Sequence, residues 1–272
     1  YITITEEKDS LEDAIDEYSS IEENIFSPLE KMHVYLNPLN RTERLILLRS
    51  LYNQDSDQDM EAISVNGEAV STFDLNNLYS QGLDIKTCIA PLSMEFFSNY
   101  FKIGDKFGAC LSVLSYPSAI PDKFLTELSE RKFNCIVSFN LKKIDKATSY
   151  KMVKNKLLNI EGDAVDKQSK TFFIPYTTKR DLDNTEEMLD DLSSRDQDLW
   201  EVQFHITVFG NTLNEVKKHV DTIRNRCRAK GVGCQRVSTT VEHVFNSCLP
   251  FGQDQSGSNR TLTTEAIAGV IP

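Results

Sequence analysis

Two histidines and two cysteines near the C-terminal end come closest to a metal-binding set: His219, Cys227, Cys234 and His243. Structural zinc sites usually take two cysteines from one short turn, roughly two to four residues apart. Here the two cysteines lie seven positions apart, and Cys227 falls on the apolar side of a predicted helix. We therefore favour ordinary core and surface roles for these residues over a zinc site.

A histidine can act as a general base because its pKa lies near neutral pH. His205 is one candidate, but the sequence supplies no partner for it, and its place in an alternating strand favours a half-exposed side chain. His33 has no stronger case. A small cytoplasmic enzyme whose site is assembled from distant residues is kept as an alternative interpretation.

Sequence patterns that cradle a nucleotide phosphate are absent. A loop of the form G-x-x-x-x-G-K-[ST] needs glycines for close backbone approach and a lysine for the phosphates. The glycines here are scattered, and none precedes a Lys-Ser or Lys-Thr pair. The patterns G-x-S-x-G and H-E-x-x-H are absent as well. We therefore predict no catalytic, cofactor-binding or metal-binding residue in this stretch of chain.

One basic cluster stands out, and it consists of Arg224, Arg226, Arg228, Lys230 and Arg236. Cations near the C-terminal end of a helix are favoured by the helix dipole, so the cluster can be purely structural. It can also dock an acidic partner, anionic lipid headgroups or nucleic acid. Because no aromatic residues are interleaved with these cations, an RNA-recognition sheet is not favoured.

The composition bounds the class of protein. The chain has 272 residues, 40% of them hydrophobic and 26% charged, which suits one large globular domain or two ordinary ones. Its net charge of −11 argues against a phosphate-binding surface spread over the whole molecule. No apolar run approaches the roughly 18–20 residues that cross a bilayer. Several of the six cysteines fall inside apolar strand-like runs, which predicts reduced thiols in a cytoplasmic protein.

The N-terminal part has the signals of helices. Ser10 to Asp13 resembles a capping box and begins an acidic amphipathic helix over residues 10–26. Pro28 predicts a kink or the first turn of a new helix. A further helix is predicted from Asn40 to Tyr52, and the acidic stretch 54–59 is a plausible linker.

From residue 107 onward strands and helices follow one another. Apolar alternation predicts strands at 107–113, 135–141 and 202–208, with a shorter one between 231 and 237. Helical spacing predicts the helices between them, which begin at Pro121, Asp145, Leu182 and Leu213. Residues 162–180 fit either an extension of the Asp145 helix or a loop around Pro175.

This order predicts an α+β fold. One antiparallel sheet with helices on one face, ferredoxin-like with a helical insertion, accounts for it, and a helix-rich N-terminal lobe is added. The predicted division is a helical lobe at 1–60, an α+β domain at 61–248 and a linker at 249–272 that leads into a further domain. The chain opens on Tyr1 and stops at Pro272, so we expect it to be part of a longer protein.

Three phrases, taken together in this order, resemble the N-terminal domain of the type IV secretion and conjugative-transfer ATPases, the TrbE/VirB-type family. They are IAPLSMEFFSNYFKIGDKFGACLSVLSYPSAIPDKFLTEL at 89–128, FNCIVSFNLKKIDKATSYKMVKNKLLNIE at 133–161 and FNSCLPFGQDQSGSNRTLTTEAIAGVIP at 245–272. Each phrase alone is a weak signal, whereas their order and spacing across residues 40 to 272 are fairly specific. The residues that match the family pattern one by one are Tyr116, Pro117, Leu249, Pro250, Gly252 and Arg260.

The resemblance implies a docking role. Members of such a family carry a motor domain that binds ATP and Mg²⁺, self-associate, and lie in the cytoplasm at the inner membrane beside the secretion channel. The N-terminal domain is implied to dock onto inner-membrane components and to arrange subunits, with a structural role for the six matching residues. Nucleotide-binding residues of the family have no counterpart here, so this stretch is expected to be non-catalytic. The alternative is a stand-alone cytoplasmic domain that binds nucleic acid or an acidic partner through residues 224–236, although the net charge makes nucleic acid an unfavoured ligand.

Overall fold

The structure is a computed structural model that describes residues 1–5, 8–54, 62–65, 68–71, 82, 84–117, 124–129, 132–194 and 197–269. Two predicted features lie outside these residues: the acidic linker at 54–59, apart from Gln54, and the helix start at Pro121.

Two helices open the chain, α1 over Leu11–Lys31 and α2 over Arg41–Tyr52. The Ser10 hydroxyl accepts a hydrogen bond from the backbone N–H of Asp13 at 3.1 Å, which confirms the predicted start of α1. Asn40 and Glu43 form a complete capping box on α2. Pro28 lies inside α1, so the alternative of a new helix at this proline is wrong. A proline removes only one backbone donor, and α1 continues past it to Lys31.

The remaining strands and helices follow in two groups along the chain. The first group is β1 Ala62–Val65, β2 Glu68–Ser71, α3 Ile85–Ile89, β3 Met94–Phe96, β4 Phe101–Ile103, β5 Lys106–Ser115, α4 Phe124–Ser129 and β6 Cys135–Lys143. The second group is α5 Lys146–Thr171, α6 Tyr176–Ser194, β7 Leu199–Gly210, α7 Leu213–Ala229, β8 Gly233–Arg236, α8 Val241–Ser247, β9 Arg260–Thr263 and α9 Thr264–Ala268.

Seven of the described strands form one sheet. Five of them follow one another in the order β3-β4-β5-β7-β6. Strands β8 and β9 lie off this path, β8 paired with β5 and β9 with β7, while β1 and β2 form a separate pair. The registers that define these edges are antiparallel: Val113 faces Cys234 between β5 and β8, and Val202 faces Arg260 between β7 and β9. The long central strands are the ones whose apolar alternation is clearest in the sequence.

The chain divides into two compact units. The first comprises residues 1–110, 207–219 and 237–256, and the second comprises residues 111–206, 220–236 and 257–272. In the first unit the rings of Phe101 and Phe245 lie 4.8 Å apart, and Phe209 meets Phe101 edge to face. In the second unit the ring of Phe204 contacts Phe139 at 5.4 Å and Phe124 at 6.2 Å. Each unit therefore has aromatic packing of its own.

An antiparallel pair of helices, α5 and α6, interrupts the second unit between β6 and β7. The Asp145 side chain accepts a hydrogen bond from the backbone N–H of Thr148 at 3.0 Å, which confirms the predicted cap of α5. Near this end, buried Val153 and Leu192 pack against Ile144 and Leu199. Residues 162–180, for which the sequence allowed either a helix extension or a loop, contain both. Helix α5 runs to Thr171, and residues 172–175 form the turn into α6.

These elements confirm the α+β class. The ferredoxin-like arrangement remains a prediction, and so does the division at residues 60 and 248.

Candidate docking surface

Helix α7 presents most of the predicted basic cluster. Its buried side chains are apolar: Val216, Val220, Ile223 and Cys227. A spacing of three to four residues keeps them on one side of the helix and turns other residues outward. Arg226 and Arg228 are exposed on the last turns, Lys230 follows the helix, and Arg236 ends β8. The cluster is therefore a real surface feature whose base is the core of the second unit.

Glu127 on α4 binds two of these cations. The Lys230 ammonium group lies 2.9 Å from Oε1 of Glu127, and Nη1 of Arg226 donates to the backbone carbonyl oxygen of Glu127 at 3.2 Å. The contact fixes the C-terminal end of α7 against α4 within the second unit. Because the side chain of Glu127 is partly exposed, the ion pair with Lys230 contributes modestly to stability.

Asp221 lies near two further cations of the cluster, Arg224 and Arg236. Its Oδ1 is 3.9 Å from Nη1 of Arg224, one turn further along α7. Burial lowers the pKa of the Arg236 guanidinium, and the nearby charge of Asp221 partly offsets that effect. Within the described residues, Nε of Arg224 is buried without a hydrogen-bond partner. Four of the five cations thus lie close to Glu127 or Asp221 of the same unit, which favours the structural interpretation of the cluster.

Two of the residues predicted from the family pattern meet at the end of β5. Nε of Arg260 donates to the backbone carbonyl oxygen of Leu114. The hydroxyl of Tyr116 is buried and, within the described residues, lacks a hydrogen-bond partner. Burial raises the pKa of Tyr116, and the charge of Arg260 acts in the opposite direction. Pro117 lies beside Gly231.

The Leu-Pro-x-Gly loop packs against the N-terminus of the chain. Leu249 is buried and Pro250 half-buried. Gly252 has a φ of +65°, a conformation that favours glycine, and a Cβ there would collide with Oγ1 of Thr5. The same Thr5 hydroxyl donates to the backbone carbonyl oxygen of Phe251 at 3.3 Å. The turn therefore requires glycine for both its conformation and its neighbour. The functional role of these matching residues stays a prediction.

His205 has no exposed surface, so the expectation of a half-exposed side chain is wrong. Its Nδ1 lies 2.9 Å from Oγ of Ser112 on β5. Both faces of β7 are covered, and a polar side chain is accommodated because the neighbouring strand supplies a hydrogen-bonding group. A substrate arriving from solvent meets no surface of His205, which weighs against the enzyme interpretation.

Four of the described thiols, those of Cys110, Cys227, Cys234 and Cys248, lie in the interior. Cys110 and Cys248 both contact Oγ1 of Thr207, at 3.5 and 3.3 Å. Burial raises the pKa of Cys248 to about 12, while a hydrogen bond to Thr207 lowers it slightly. A hydrogen bond with Cys227 and burial raise the pKa of Cys234 as well. Raised pKa values disfavour the thiolates that metals and electrophiles need.

The four residues that come closest to a metal-binding set in the sequence, His219, Cys227, Cys234 and His243, are not shown to share a site. His219 has its Nδ1 2.8 Å from the backbone carbonyl oxygen of Phe209, and His243 is exposed. In the ranges that the structure describes, no three His, Cys, Asp or Glu side chains come close enough to share a metal ion. A helix with the length and apolarity to cross a bilayer is likewise not found among the described residues.

With this arrangement in view, comparison with known families decides the class. A family model matches residues 60–254: the CagE, TrbE, VirB family, a component of type IV transporter systems. The match covers well over half of the chain. The chain belongs to the CagE, TrbE, VirB family. No curated protein matches it.

The matched range of this bacterial conjugation and secretion family takes in the large sheet up to β8, the α5–α6 pair and α7 with its basic cluster. It also takes in Tyr116, Leu249 and Gly252, whereas Arg260 lies beyond it. The turn between α5 and α6 was not predicted as a candidate surface from the sequence. A signal was available there, since residues 167–180 read KQSKTFFIPYTTKR and contain four cations and no acid.

Proposed function

We propose that this chain is the docking and assembly part of a type IV secretion ATPase, the class that energises conjugative DNA transfer. It binds inner-membrane components of the channel and helps to arrange subunits at the cytoplasmic side of that membrane. The observation that carries the proposal is the family match over residues 60–254. The sequence supports it further, because no phosphate-binding loop occurs in any of the 272 residues.

ATP and Mg²⁺ belong, under this proposal, to a motor region outside these residues. No cluster of three or more acidic, histidine or cysteine side chains suited to a metal ion exists in the described part of the chain. The 272 residues contain no glycine-rich loop with a lysine of the kind that binds ATP phosphates, which supports placing nucleotide binding outside them. The chain contributes contacts that place the motor at the channel.

The proposed scaffold for this role is ferredoxin-like. The strand order β8-β5-β7-β6, with helix α4 between β5 and β6 and helix α7 between β7 and β8, supports that assignment. Helices α5 and α6 then form the insertion before β7. A function does not follow from such a fold, which many unrelated proteins share.

The proposal is tested with two measurements on the purified chain. Phosphate release from ATP and Mg²⁺ is expected to stay at the level of a heat-denatured sample, with an intact P-loop ATPase as positive control. Inner-membrane channel proteins of the same system, solubilised in detergent, are expected to be retained by the immobilised chain and not by an unrelated acidic protein. Turnover that copurifies with the chain contradicts the first part, and absence of retention contradicts the second.

Nucleic-acid binding through residues 224–236 is the alternative, and the contacts with Glu127 and Asp221 weigh against it. A salt-dependent shift of DNA that disappears in Arg226→Glu/Arg228→Glu supports this alternative. No shift at low salt removes it.

A further inference from the structure

Three aromatic side chains at the turn between α5 and α6 are open to solvent. Phe172 is 94% exposed, Phe173 64% and Tyr176 74%. Large apolar side chains scattered singly on a surface are ordinary, whereas several adjacent ones mark an interaction site. We call these three residues the aromatic tip.

The aromatic tip lies at the far end of the α5–α6 pair from its core. Val153 packs against Ile144 and Leu199 near the beginning of α5, and Thr171 ends the helix. At about 1.5 Å per residue, the eighteen residues from Val153 to Thr171 span about 27 Å. Between these points the interior of the pair is closed by buried Ala164 and Thr178. The tip is therefore held by a long, packed support.

Positive charge surrounds the aromatic tip. Residues 167–180 contain Lys167, Lys170, Lys179 and Arg180 and no acidic residue, in a chain of net charge −11. The side chains of Lys179 and Arg180 are exposed, and Nζ of Lys167 donates to Oγ1 of Thr178 across the pair at 3.3 Å. Immediately beyond, residues 181–191 contain six acids. The basic character is thus confined to the tip.

The backbone at Phe172 gives a second, independent indication of function. Phe172 ends α5 with a φ of 54°, the left-handed conformation in which glycine is favoured and a bulky side chain is strained. A phenylalanine with 94% exposure gains little packing in return. Strain held at an exposed position of this kind indicates a role outside the stability of the fold.

We infer that the aromatic tip inserts into the interfacial layer of an anionic bilayer, with Lys179 and Arg180 bound to lipid phosphates. Aromatic side chains favour the bilayer interface, and basic residues close to an anionic leaflet are attracted to it. The inference rests on the proposed function, to which it adds direct contact with lipid.

A lipid surface explains the tip better than a protein groove. Phe172 and Phe173 are adjacent in sequence and both largely exposed. A groove that receives a helix contacts one face, with anchors three or four residues apart. A fluid interface accepts side chains that point in different directions. It also supplies phosphates that match the exposed cations Lys179 and Arg180.

The test uses the complete chain and vesicles that contain no protein. The chain is expected to float with phosphatidylglycerol–phosphatidylethanolamine vesicles and not with phosphatidylcholine vesicles. In Phe172→Ser/Phe173→Ser/Tyr176→Ser the partition coefficient is expected to fall at least about tenfold. In Lys179→Gln/Arg180→Gln it is expected to fall about tenfold, because two lipid-facing charges are lost.

Matched variants on the same helix serve as controls. Leu158→Ser/Val165→Ser removes exposed apolar side chains away from the turn, and Lys151→Gln/Lys154→Gln removes the same charge as the Lys179 and Arg180 variant. Both controls are expected to bind vesicles within about twofold of the parent chain, since neither touches the tip. Circular dichroism and the thermal midpoint verify that each variant is folded.

A fluorescent reporter distinguishes insertion from simple adhesion. Phe172→Trp combined with Trp200→Phe places the only tryptophan at the tip, since Trp200 is the one tryptophan of the chain. Its emission is expected to shift to the blue and to be quenched by brominated lipid in anionic vesicles. An unshifted emission with vesicles bound overturns insertion.

The two proposals fail in different ways. If the chain captures channel proteins in detergent but ignores anionic vesicles, the docking function stands and the lipid inference is overturned. If the tip variants lose capture of channel proteins in detergent while vesicle binding is absent, the tip is a protein contact and the lipid inference is likewise overturned. If vesicles are bound through the tip and no channel protein is retained, the lipid inference stands and the docking function fails.

Discussion

The two basic regions of this acidic chain differ in what surrounds their cations. At residues 224–236 the cations lie on or just after α7, whose inner side chains are buried in the core. Glu127 contacts Lys230 and Arg226, and Asp221 lies near Arg224 and Arg236. At residues 167–180 the cations flank exposed aromatic side chains, and no acid lies within the segment. In the sequence the first region is the denser cluster of charge, yet in the structure it makes contacts with elements that are distant in the chain.

The difference shows that a count of cations does not measure an available surface. Lys230, which follows α7, pairs with an acid that is distant in sequence, Glu127 about one hundred positions earlier. At the turn between α5 and α6, residues 167–180 contain no acid of their own, and the side chains of Lys179 and Arg180 are exposed. Whether a cation is available to a binding partner therefore depends on its neighbours in the tertiary structure.

The largest contrast is in stability. Ile223→Ala removes a fully buried side chain beneath the α7 cluster and is expected to cost about 2–5 kcal/mol. Phe172→Gly is expected to leave the free energy of unfolding unchanged or to raise it by up to about 1 kcal/mol, because glycine relieves the left-handed backbone. Urea denaturation followed by circular dichroism measures both. If Ile223→Ala and Phe172→Gly lower the free energy of unfolding by similar amounts, the contrast between a core-backed helix and an exposed tip is wrong.

Alkaline pH is expected to weaken the fold without releasing the tip from lipid. Burial raises the pKa of Cys248 to about 12 and raises those of Cys110 and Cys234 as well. Below about pH 8.5 these thiols are protonated in both the folded and unfolded states, so they add no pH dependence. Above it the unfolded chain loses protons that the folded chain retains, and stability falls by up to about 1.4 kcal/mol per pH unit for each thiol.

Urea titrations at several pH values under reducing conditions check this expectation. In Cys248→Ala the slope above about pH 9 is expected to be shallower than in the parent chain, because one titrating group is gone. Vesicle binding at pH 9 is expected to persist while the fold is populated, since residues 167–180 contain no cysteine. A slope that does not change in Cys248→Ala contradicts the assignment of this thiol.

Affinity for heparin, a polyanion, compares how accessible the cations are in the two basic regions. Lys179→Gln/Arg180→Gln and Arg226→Gln/Lys230→Gln remove the same formal charge. The first is expected to lower heparin affinity about tenfold and the second less than about threefold, because the Glu127 carboxylate already binds Lys230 and its backbone carbonyl accepts a hydrogen bond from Arg226. Elution from immobilised heparin along a salt gradient measures the order. The reverse order identifies residues 224–236 as the exposed anion site.

The smallest effect is expected for substitution of Glu127, the acid that pairs with Lys230. Glu127→Gln is expected to reduce stability by about 0.2–1 kcal/mol, since the ion pair with Lys230 is partly exposed. The same change is expected to increase heparin affinity by freeing Lys230. Lys143→Gln, which breaks an exposed pair with Asp198, is the control for stability. Unchanged heparin affinity in Glu127→Gln shows that this acid does not mask the cluster.

Local signals in the sequence predicted much of the fold. Asp145 caps α5, Asn40 and Glu43 cap α2, and the alternation at 202–208 is a strand, because caps and periodicity act over a few neighbouring residues. The ordered phrases around Tyr116 and Gly252 likewise predicted the family. These properties need no knowledge of distant contacts.

Burial of polar side chains could not be read in the same way. The alternation of β7 assigned Gln203, His205 and Thr207 to an outer face, yet all three are buried. Their partners are Asn259 at 2.5 Å from Gln203, Ser112 for His205 and Cys248 for Thr207, all distant in sequence. A polar residue is kept in the interior when folding brings a hydrogen-bonding group to it.

The sequence by itself determined the class of fold, the helix caps and membership of a type IV transporter family, since each depends on residue type and order. Only the tertiary structure decided which charges and apolar groups are open to a partner. The cations of α7 meet Glu127 and Asp221, while Phe172 and Tyr176 stay in solvent although aromatic residues usually enter a core. Exposure depends on packing between elements far apart in the chain, and that packing exists only once the chain has folded.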